Sequence, residues 1–310
     1  MMAGVETGTV RLLCPACREP GARLDEVTEA GALCRRCGFR LLRMDGIVRA
    51  LAPGRRQHYA RFLADYAAIR HAEGRGSPEE DYYRALPYED RSGRNSAQWA
   101  IRGRTWRYFE THVLTDRKCD VLDLGAGNGW MSWRLAQRGH RPVAVDIFTD
   151  ALDGLGAARH YGGFPLVEAE FDRLPFADAQ FDLAIFNASF HYSTDYRRTL
   201  QEARRCLRAG APVVILDSPI YRRREHGERM REERHVQFQE TYGFRSDSIP
   251  SLEYLWDGLL RELERELGIA WSVYYPWYGW KWFWRPWKAR LERRRPPSRF
   301  AILVGHFEQP

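Results

Sequence analysis

A glycine-rich turn with an acidic residue on each side is the part of this sequence best equipped to bind a ligand. Gly125, Gly127 and Gly129 follow the spacing G-x-G-x-G, Asp123 precedes them, and Asp146 follows Gly129 by 17 residues. Glycines adopt positive φ angles and let a ligand approach the main chain closely. Asp146 could accept two hydrogen bonds from a ribose diol, and Asp123 suits an ammonium group better than a pyrophosphate. A ligand with a ribose and a cationic amino acid therefore fits better than a dinucleotide, because the turns that bind dinucleotides have the spacing G-x-G-x-x-G.

The elements that position this turn are predicted from the spacing of apolar residues. Apolar runs predict buried strands over residues 120–124 and 141–145, and helical spacing predicts a helix over 130–137 between them. The same alternation continues with helices over 151–160, 195–207 and 252–267 and with strands over 166–170, 181–186, 212–216, 269–275 and 300–307. This order predicts an α/β fold with a doubly wound sheet, which binds its ligand at the carboxyl ends of the strands.

Several motifs in this order resemble those of class I S-adenosylmethionine-dependent methyltransferases. They read VLDLGAGNG followed by VAVD, then AEFDRLPF, FDLAIFN and LRAG, and they cover residues 118–217. Ala209 stands where proline is usual in the last motif. The resemblance implies a seven-stranded Rossmann-like methyltransferase sheet and an enzyme that transfers a methyl group from S-adenosylmethionine.

The resemblance also implies a set of cofactor-binding residues. Asp123 and the glycines would face the methionine end of S-adenosylmethionine, and Asp146 would hold the ribose. Glu170, or Asp172 in its place, would bind the adenine amino group, and Asn187 would stand beside the methyl group. The full implied set is Asp123, Gly125, Gly127, Gly129, Asp146, Ile147, Glu170, Phe171, Asp172 and Asn187.

His191 is the candidate catalytic residue, because it follows the fourth strand of the predicted domain closely. Methyl transfer needs a base only when the acceptor must lose a proton, and the pKa of histidine is near neutral. The alternative is that His191 packs behind the strand or caps a helix. Asp217 and Tyr221 are further candidates for the same pocket.

Four cysteines near the N-terminus form two C-x2-C pairs separated by sixteen residues. They are Cys14, Cys17, Cys34 and Cys37, and Gly38 follows the second pair. Four thiolates at this spacing close a tetrahedral Zn²⁺ site of the structural kind. The pattern also resembles zinc-ribbon modules that are fused to some methyltransferases. The alternatives are two redox dithiols or a ribbon without metal.

These features divide the chain into three predicted parts. Residues 1–52 form the zinc ribbon, residues 53–117 a helical lid or linker, and residues 118–310 the methyltransferase domain, with inserts at about 218–250 and 277–299. The chain has no apolar run near 18 residues, and its N-terminus lacks the pattern of a signal peptide. We therefore expect a cytoplasmic protein, and the alternative is peripheral attachment to a membrane.

The segment Trp277–Arg299 alternates aromatic and basic residues, with eight Lys or Arg and Glu292 as its one acid. Three interpretations compete for it. The segment could contact a membrane surface, it could bind RNA, or its aromatic rings could pack under the zinc ribbon and the helices. The third is favoured because tryptophans mostly serve internal packing.

The methyl acceptor is predicted to be a small molecule or lipid-like compound, because two inserts would roof the pocket and no N-P-P-[YF] motif follows the fourth strand. The first alternative is an RNA methyltransferase, which the zinc ribbon and the basic C-terminal segment would suit. The second, from another class, is a non-catalytic scaffold protein that binds S-adenosylmethionine and holds a partner through the ribbon.

Overall fold

The computed structural model describes residues 10–308 of the chain. Residues 1–9, on which the prediction about a signal peptide rests in part, lie outside the described residues, as do the outer ends of the first and third predicted parts. The strands are β1 (Arg11–Leu13), β2 (Pro20–Arg23), β3 (Ala32–Leu33), β4 (Arg40–Met44), β5 (Ile47–Arg49), β6 (Asp120–Leu124), β7 (Arg141–Asp146), β8 (Leu166–Glu168), β9 (Leu183–Asn187), β10 (Val213–Leu216), β11 (Ile220–Tyr221), β12 (Leu255–Trp256), β13 (Ile269–Tyr274) and β14 (Ile302–Phe307). The helices are α1 (Arg55–Ala72), α2 (Glu80–Ala85), α3 (Ser96–His112), α4 (Trp130–Gln137), α5 (Tyr196–Cys206), α6 (Arg224–Tyr242), α7 (Asp257–Leu267), α8 (Trp280–Phe283) and α9 (Arg285–Leu291).

The central sheet confirms the predicted doubly wound architecture. Its core has the strand order β13-β14-β10-β9-β6-β7-β8, in which β6, β7, β8, β9 and β10 run parallel. Strand β14 pairs antiparallel with β10 and with β13. The order reverses between β6 and β9, because the chain proceeds outward from β6 to β8 and then returns to β9 on the other side. This switch point is where open α/β sheets bind ligands.

Alternate residues of the central strands point into two separate apolar layers. Leu122 of β6 and Phe186 of β9 belong to one cluster, and their neighbours Val121 and Ile185 belong to the other. All four side chains are fully buried. A sheet covered by helices on both faces needs apolar residues at consecutive positions, and this is why each predicted strand read as a continuous apolar run.

The bounds of β6 and α4 agree with the prediction, and the other predicted elements differ from it by one to five residues at an end. The helix predicted over 252–267 begins at Asp257, and Leu255–Trp256 form β12 instead. The helix predicted over residues 151–160 is a 3₁₀ segment, Leu155–His160. Gly154 makes a tight turn before it, since a Cβ there would lie 2.5 Å from the carbonyl oxygen of Phe148. The strand predicted over 166–170 ends at Glu168, and the two residues after it turn toward the ligand-binding edge.

The N-terminal segment extends the central sheet instead of lying apart from it. Strands β5, β4 and β3 follow β8 at its edge, which makes a ten-stranded sheet. Strand β5 pairs in parallel with β8, Val48 standing opposite Val167. The amide of Ala50 donates to the carbonyl oxygen of Glu168 at 3.0 Å. The cysteine-bearing segment is therefore hydrogen-bonded to the strand that leads into Glu170.

The interpretation of Trp277–Arg299 as internal packing is wrong for most of its rings. The side chains of Trp277, Trp280, Trp284 and Trp287 are each more than half exposed. The segment forms α8 and α9 on the surface after the edge strand β13. Within residues 10–308, no helix is both long enough and apolar enough to cross a bilayer.

Candidate cofactor-binding site

A cavity lies at the carboxyl ends of the central parallel strands and is roofed by α1. Eight of the predicted residues line it: Gly125, Gly127, Asp146, Ile147, Glu170, Phe171, Asp172 and Asn187. The lining does not include Asp123, Gly129 or His191. The residues come from four strand ends that are distant in the sequence, and the parallel order of the sheet brings these ends to one edge.

The glycine turn takes the backbone shape that its spacing predicts. Gly125, Gly127 and Gly129 all have positive φ angles, of 76°, 55° and 80°. A Cβ at Gly125 would lie 2.2 Å from the Cβ of Ser189, so a side chain is excluded there. The amide of Gly125 donates to the carbonyl oxygen of Val145 at 2.8 Å. The turn is thereby tied to β7, the strand that ends in the predicted ribose-binding acid.

Asp146 sits at the centre of this arrangement. Its Oδ2 accepts from the Gly127 amide at 2.8 Å, and its Oδ1 accepts from the Phe148 amide at 2.9 Å. Burial raises the pKa of Asp146 to about 6, although these backbone donors oppose the shift. Each carboxylate oxygen has capacity for a second hydrogen bond. The pair of oxygens can therefore accept from two adjacent hydroxyl groups of a ligand.

Glu170 is engaged by the roof helix. Its carboxylate accepts from Arg55 Nη2 at 2.6 Å and from the Tyr59 hydroxyl at 2.9 Å. Asp172 lies nearby, and burial together with the charge of Glu170 raises its pKa. Because Arg55 and Tyr59 already bind Glu170, its carboxylate is less free than that of Asp172 to accept a hydrogen bond from a ligand.

Asn187 offers an unsatisfied acceptor at the end of β9. Within the described part of the chain, its Oδ1 is buried and has no hydrogen-bond partner. Buried polar atoms in folded proteins are nearly always paired, so this oxygen suits a ligand group. The next residues close the wall: Ser189 donates from its hydroxyl to the carbonyl oxygen of Leu124 at 2.5 Å.

Asp123 lies beneath the turn and outside the cavity lining. It is fully buried, its Oδ2 accepts from the Ser132 hydroxyl at 2.6 Å, and burial raises its pKa to about 7. Gly129 also packs away from the cavity, against Ala158 and Phe164. Both residues can shape the turn, and neither faces the space where a ligand would lie.

The His191 ring lies outside the cavity lining. This agrees with the alternative that it packs behind the strand. Its Nδ1 lies 3.2 Å from the Ser218 hydroxyl, and the ring is buried. Burial, with a smaller contribution from the charges of Arg234 and Arg102, lowers the pKa of His191 to about 3. Asp217 accepts from Thr105, and Tyr221 packs with Arg295. These three candidates are absent from the cavity lining among residues 10–308.

The sequence predicted a helical lid or linker over residues 53–117 but did not identify α1 as the part of it that roofs the cavity. Tyr59, Phe62, Tyr66 and Arg70 all line the cavity from one face of it. Tyr66 is stacked by the Arg70 guanidinium at 5.4 Å, and Arg70 also forms an ion pair with Asp153. The helical spacing of these aromatics was visible in the sequence. Periodicity identifies a buried face but does not distinguish a core from a cavity wall.

Arg102 of α3 is the second residue that the sequence did not reveal. It lines the cavity and stacks on the Trp99 ring at 4.9 Å. Burial, together with the charges of Arg75 and Arg70, lowers the pKa of Arg102 to about 10, while the charge of Asp217 acts in the opposite direction. Within residues 10–308, the Arg102 guanidinium takes part in no ion pair or hydrogen bond, and it lines the cavity. It is therefore a cation that a ligand anion can reach.

The four cysteines lie together at the N-terminal end of the chain. The sulfurs of Cys14 and Cys37 are 3.6 Å apart, as are those of Cys17 and Cys34, and all four lie within 4.8 Å of one another. A tetrahedron with Zn–S bonds of about 2.3 Å requires S···S separations of about 3.8 Å, whereas a disulfide requires about 2.05 Å. Gly38 has a φ of 72°, as expected for the turn after the second pair. The donor set and its spacing fit one tetrahedral metal ion.

Comparison with known proteins agrees with the geometry. Residues 122–215 match the family described as Methyltransferase domain. Over 127 residues the chain is 29% identical to the malonyl-[acyl-carrier protein] O-methyltransferase of Erwinia pyrifoliae. This match covers 36% of this chain and 48% of the relative. Over 115 residues it is 34% identical to the demethylmenaquinone methyltransferase of Mycolicibacterium vanbaalenii, which covers 37% of this chain and 49% of the relative. The chain thus spans about half the length of these curated relatives.

One solved structure supports the fold over a longer stretch. It is a chain from the complex between the Haloferax volcanii Trm112 methyltransferase activator and a methyltransferase. The likeness has a TM-score of 0.50 at 20% identity, and it covers 75% of this chain and 100% of the other. The fold of this protein is therefore that of the S-adenosylmethionine-dependent methyltransferases, and its residues 122–215 are similar to the methyltransferase domain family.

Proposed function

We propose that this protein is a methyltransferase that uses S-adenosylmethionine and acts on a small-molecule or lipid-like acceptor. The observation that carries the proposal is the placement of the Gly125–Gly129 turn and the Asp146 carboxylate on one cavity wall. When bound, S-adenosylmethionine supplies a methyl group that its sulfonium already activates. The chain then has to bind, orient and shield the two reactants, which is the main contribution to such a reaction.

The cavity residues suit S-adenosylmethionine along its length. The Asp146 oxygens can accept from the ribose hydroxyls, and the ring of Phe171 and the carboxylate of Asp172 suit adenine. The unpaired Oδ1 of Asn187 can accept from the ammonium group or from the acceptor. Tyr59 and Phe62 of the roof helix would cover the bound molecule and exclude water.

We propose that the acceptor is anionic at neutral pH and needs no base from the protein. The support is Arg102, whose guanidinium lines the cavity and interacts electrostatically with Asp217 at the end of β10. A charge-assisted hydrogen bond from Arg102 would hold a carboxylate or phosphate of the acceptor. An anionic or otherwise lone-pair-bearing atom can attack without prior deprotonation, which agrees with the position of His191 outside the cavity lining.

The names of the relatives support this class of acceptor. One relative is named for malonyl-acyl-carrier protein and the other for demethylmenaquinone. A carboxylate-bearing or lipid-like compound is thus the proposed acceptor. The RNA alternative would draw its support from the exposed basic segment near the C-terminus.

We further propose that Cys14, Cys17, Cys34 and Cys37 bind a structural Zn²⁺ and that residues 10–52 form a built-in support for the methyltransferase domain. The evidence for this is the pairing of β5 with β8, together with the ion pair of 3.6 Å between Arg49 Nη1 and Glu168 Oε2. A bound ion would stabilise the ribbon and, through β5, the strand that leads to the cavity. The methyltransferase activator complex of the structural relative suggests the same kind of assistance in two separate chains.

The test uses methyl-labelled S-adenosylmethionine and purified protein with separate lipid, small-metabolite, RNA and protein fractions. We expect label in the lipid or small-metabolite fraction, no label with Asp146→Asn, and normal labelling with the control Asp120→Asn. Asp120 is an acid at the opposite end of β6, where it pairs with Arg141. Label in RNA would replace the proposed acceptor. Cofactor binding without transfer to any fraction would favour the non-catalytic scaffold.

A further inference from the structure

A cluster of aromatic side chains faces outward on α8, α9 and the loop before them. We call Trp277, Trp280, Phe283, Trp284 and Trp287 the aromatic face; their side chains are between 49% and 68% exposed. The rings of Trp277 and Trp280 are 5.2 Å apart, Trp280 and Phe283 are 5.9 Å apart, and Phe283 and Trp284 are 5.2 Å apart. These contacts join four of the rings into one continuous apolar patch, and Trp287 follows on α9. Monomeric proteins rarely expose such patches without a binding role.

The underside of the same segment is fixed to the domain. The Tyr278 hydroxyl lies 2.8 Å from Thr105 Oγ1, and Tyr278 is buried. The Trp282 ring packs 5.3 Å from Phe300 and lies 3.8 Å beneath the Arg285 guanidinium. Tyr278 and Trp282 therefore do the internal packing, and the rings of the aromatic face are not needed for it. The face is held in place before any partner arrives.

The charges around the aromatic face are almost all positive. Lys281 and Lys288 are exposed within or beside it, and Arg290, Arg293 and Arg294 follow on the same segment. The single acid, Glu292, lies near Lys288 at 3.8 Å and near Arg294 at 3.3 Å, so it offsets only part of the charge. An anionic partner surface would complement this segment.

The shape of the patch favours a lipid surface over a nucleic acid. Bases stack on aromatic rings whose flat faces are free. Here Trp277 and Trp280 meet at 86°, and Trp280 and Phe283 at 85°, so the rings cover one another edge to face. Leu291 extends the patch with an aliphatic side chain that is 85% exposed and offers nothing for a base to stack on. Tryptophans beside lysines and arginines are the side chains that the headgroup region of a bilayer accepts best.

We propose that the aromatic face docks this protein on the surface of an anionic lipid bilayer. The tryptophan rings enter the headgroup region while the lysines and arginines contact the anionic headgroups. Docking of this kind is independent of methyl transfer.

The position of the face relates it to the cavity. Thr105 of α3 contacts Tyr278 beneath the face, and Arg102, one helical turn earlier, lines the cavity. A lipid-like acceptor held at the bilayer would therefore lie close to the cavity wall. This last step rests on the proposed function, whereas the docking does not.

The experiment is co-sedimentation of the full chain with phosphatidylcholine vesicles that contain or lack phosphatidylserine. We expect binding to the phosphatidylserine vesicles, with weakening as salt rises, and about tenfold or greater loss in the double variant Trp280→Ser, Trp284→Ser. Leu33→Ser is the matched control, because Leu33 is also exposed and lies on β3 at the far edge of the sheet. A blue shift of tryptophan emission on binding, lost in the double variant, would show that the rings themselves enter the lipid.

Several results would overturn the proposal. They are no binding to phosphatidylserine vesicles, equal binding of the double variant and the parent protein, and tighter binding of a structured RNA than of the vesicles. Cofactor affinity, measured on the same samples, reports separately on the proposed function and on whether the double variant is folded. Vesicle binding without methyl transfer would leave the docking proposal standing and would remove the methyltransferase one.

Discussion

Replacing Asp146 by asparagine tests the centre of the proposed site. The carboxylate accepts from the Gly127 and Phe148 amides, one on each oxygen, and has one free position on each for a ribose hydroxyl. Asparagine has one acceptor oxygen, so its NH₂ group must face either a backbone donor or the ribose. Hydrogen bonds to charged groups contribute about 1.5–3 kcal/mol each. Losing one of them and weakening the other predicts a loss of about 3 kcal/mol, or roughly a hundredfold in Kd.

The pKa of Asp146 adds a dependence on pH with a definite sign. Burial raises this pKa to about 6, with a smaller contribution from the charge of Asp153, which is itself paired with Arg70. The carboxylate form accepts two diol hydrogen bonds, whereas the protonated form presents a donor to one hydroxyl. Affinity for S-adenosylmethionine should therefore fall as pH decreases through about 6. Since the folded pKa lies above the unfolded one, the free protein should lose stability as pH rises from about 4 to 6.

Isothermal titration of S-adenosylmethionine between pH 5 and pH 8 measures the loss of affinity in the variant and the change of affinity with pH. We expect the parent protein to bind more weakly at the acidic end, Asp146→Asn to bind weakly at every pH, and Asp120→Asn to follow the parent. Circular dichroism would confirm that the variants are folded. The reasoning is refuted if folded Asp146→Asn binds like the parent, or if the parent affinity is unchanged across pH 6 while the variant's is not.

Three further predictions concern other parts of the chain. Cys34→Ser should release the metal, measured by the metal content per chain, and should make the N-terminal segment unfold at a lower temperature than the rest of the chain. Retention of one equivalent of metal would contradict the zinc site. Arg102→Met should raise KM for an anionic acceptor about ten- to a hundredfold, the worth of one charge-assisted hydrogen bond, while leaving the Kd of S-adenosylmethionine nearly unchanged; a cofactor defect instead would reassign Arg102. His191→Asn should alter kcat by no more than about threefold between pH 6 and 8, because the ring lies outside the cavity lining and a pKa of about 3 makes it a weak base; a loss of a hundredfold or more would restore the base role.

Local sequence was sufficient for the parts of the site that neighbouring elements build. Strand β6, the glycine turn, α4 and β7 follow one another directly, and a turn between adjacent parallel strands has few conformations available. The hydrogen bond from the Gly127 amide to Asp146 is seen only in the structure, whereas the positive φ angles of Gly125 and Gly127 could therefore be anticipated from spacing. The same holds for the cysteine pairs, since each C-x2-C lies on a single tight turn.

Partners that are distant in the chain could not be predicted in this way. Glu170 carries the acidic side chain that the sequence motif anticipated, but Arg55, 115 residues earlier, engages it. His191 follows β9 at the expected distance, and yet its ring turns toward Ser218. Which way a side chain faces at a strand end depends on what packs against it, and the spacing of residues within the strand does not contain that information.

The sequence by itself determined the doubly wound sheet, the glycine turn with Asp146 and the four-cysteine cluster, because each follows from residues at short separation and from the apolar periodicity of buried strands. Only the tertiary structure decided three other features: the joining of β5 to β8, the closure of the cavity by α1 and Arg102, and the outward orientation of the aromatic face. These depend on which surfaces meet after folding, since the same apolar and aromatic patterns serve a core, a cavity wall or an exposed surface equally well.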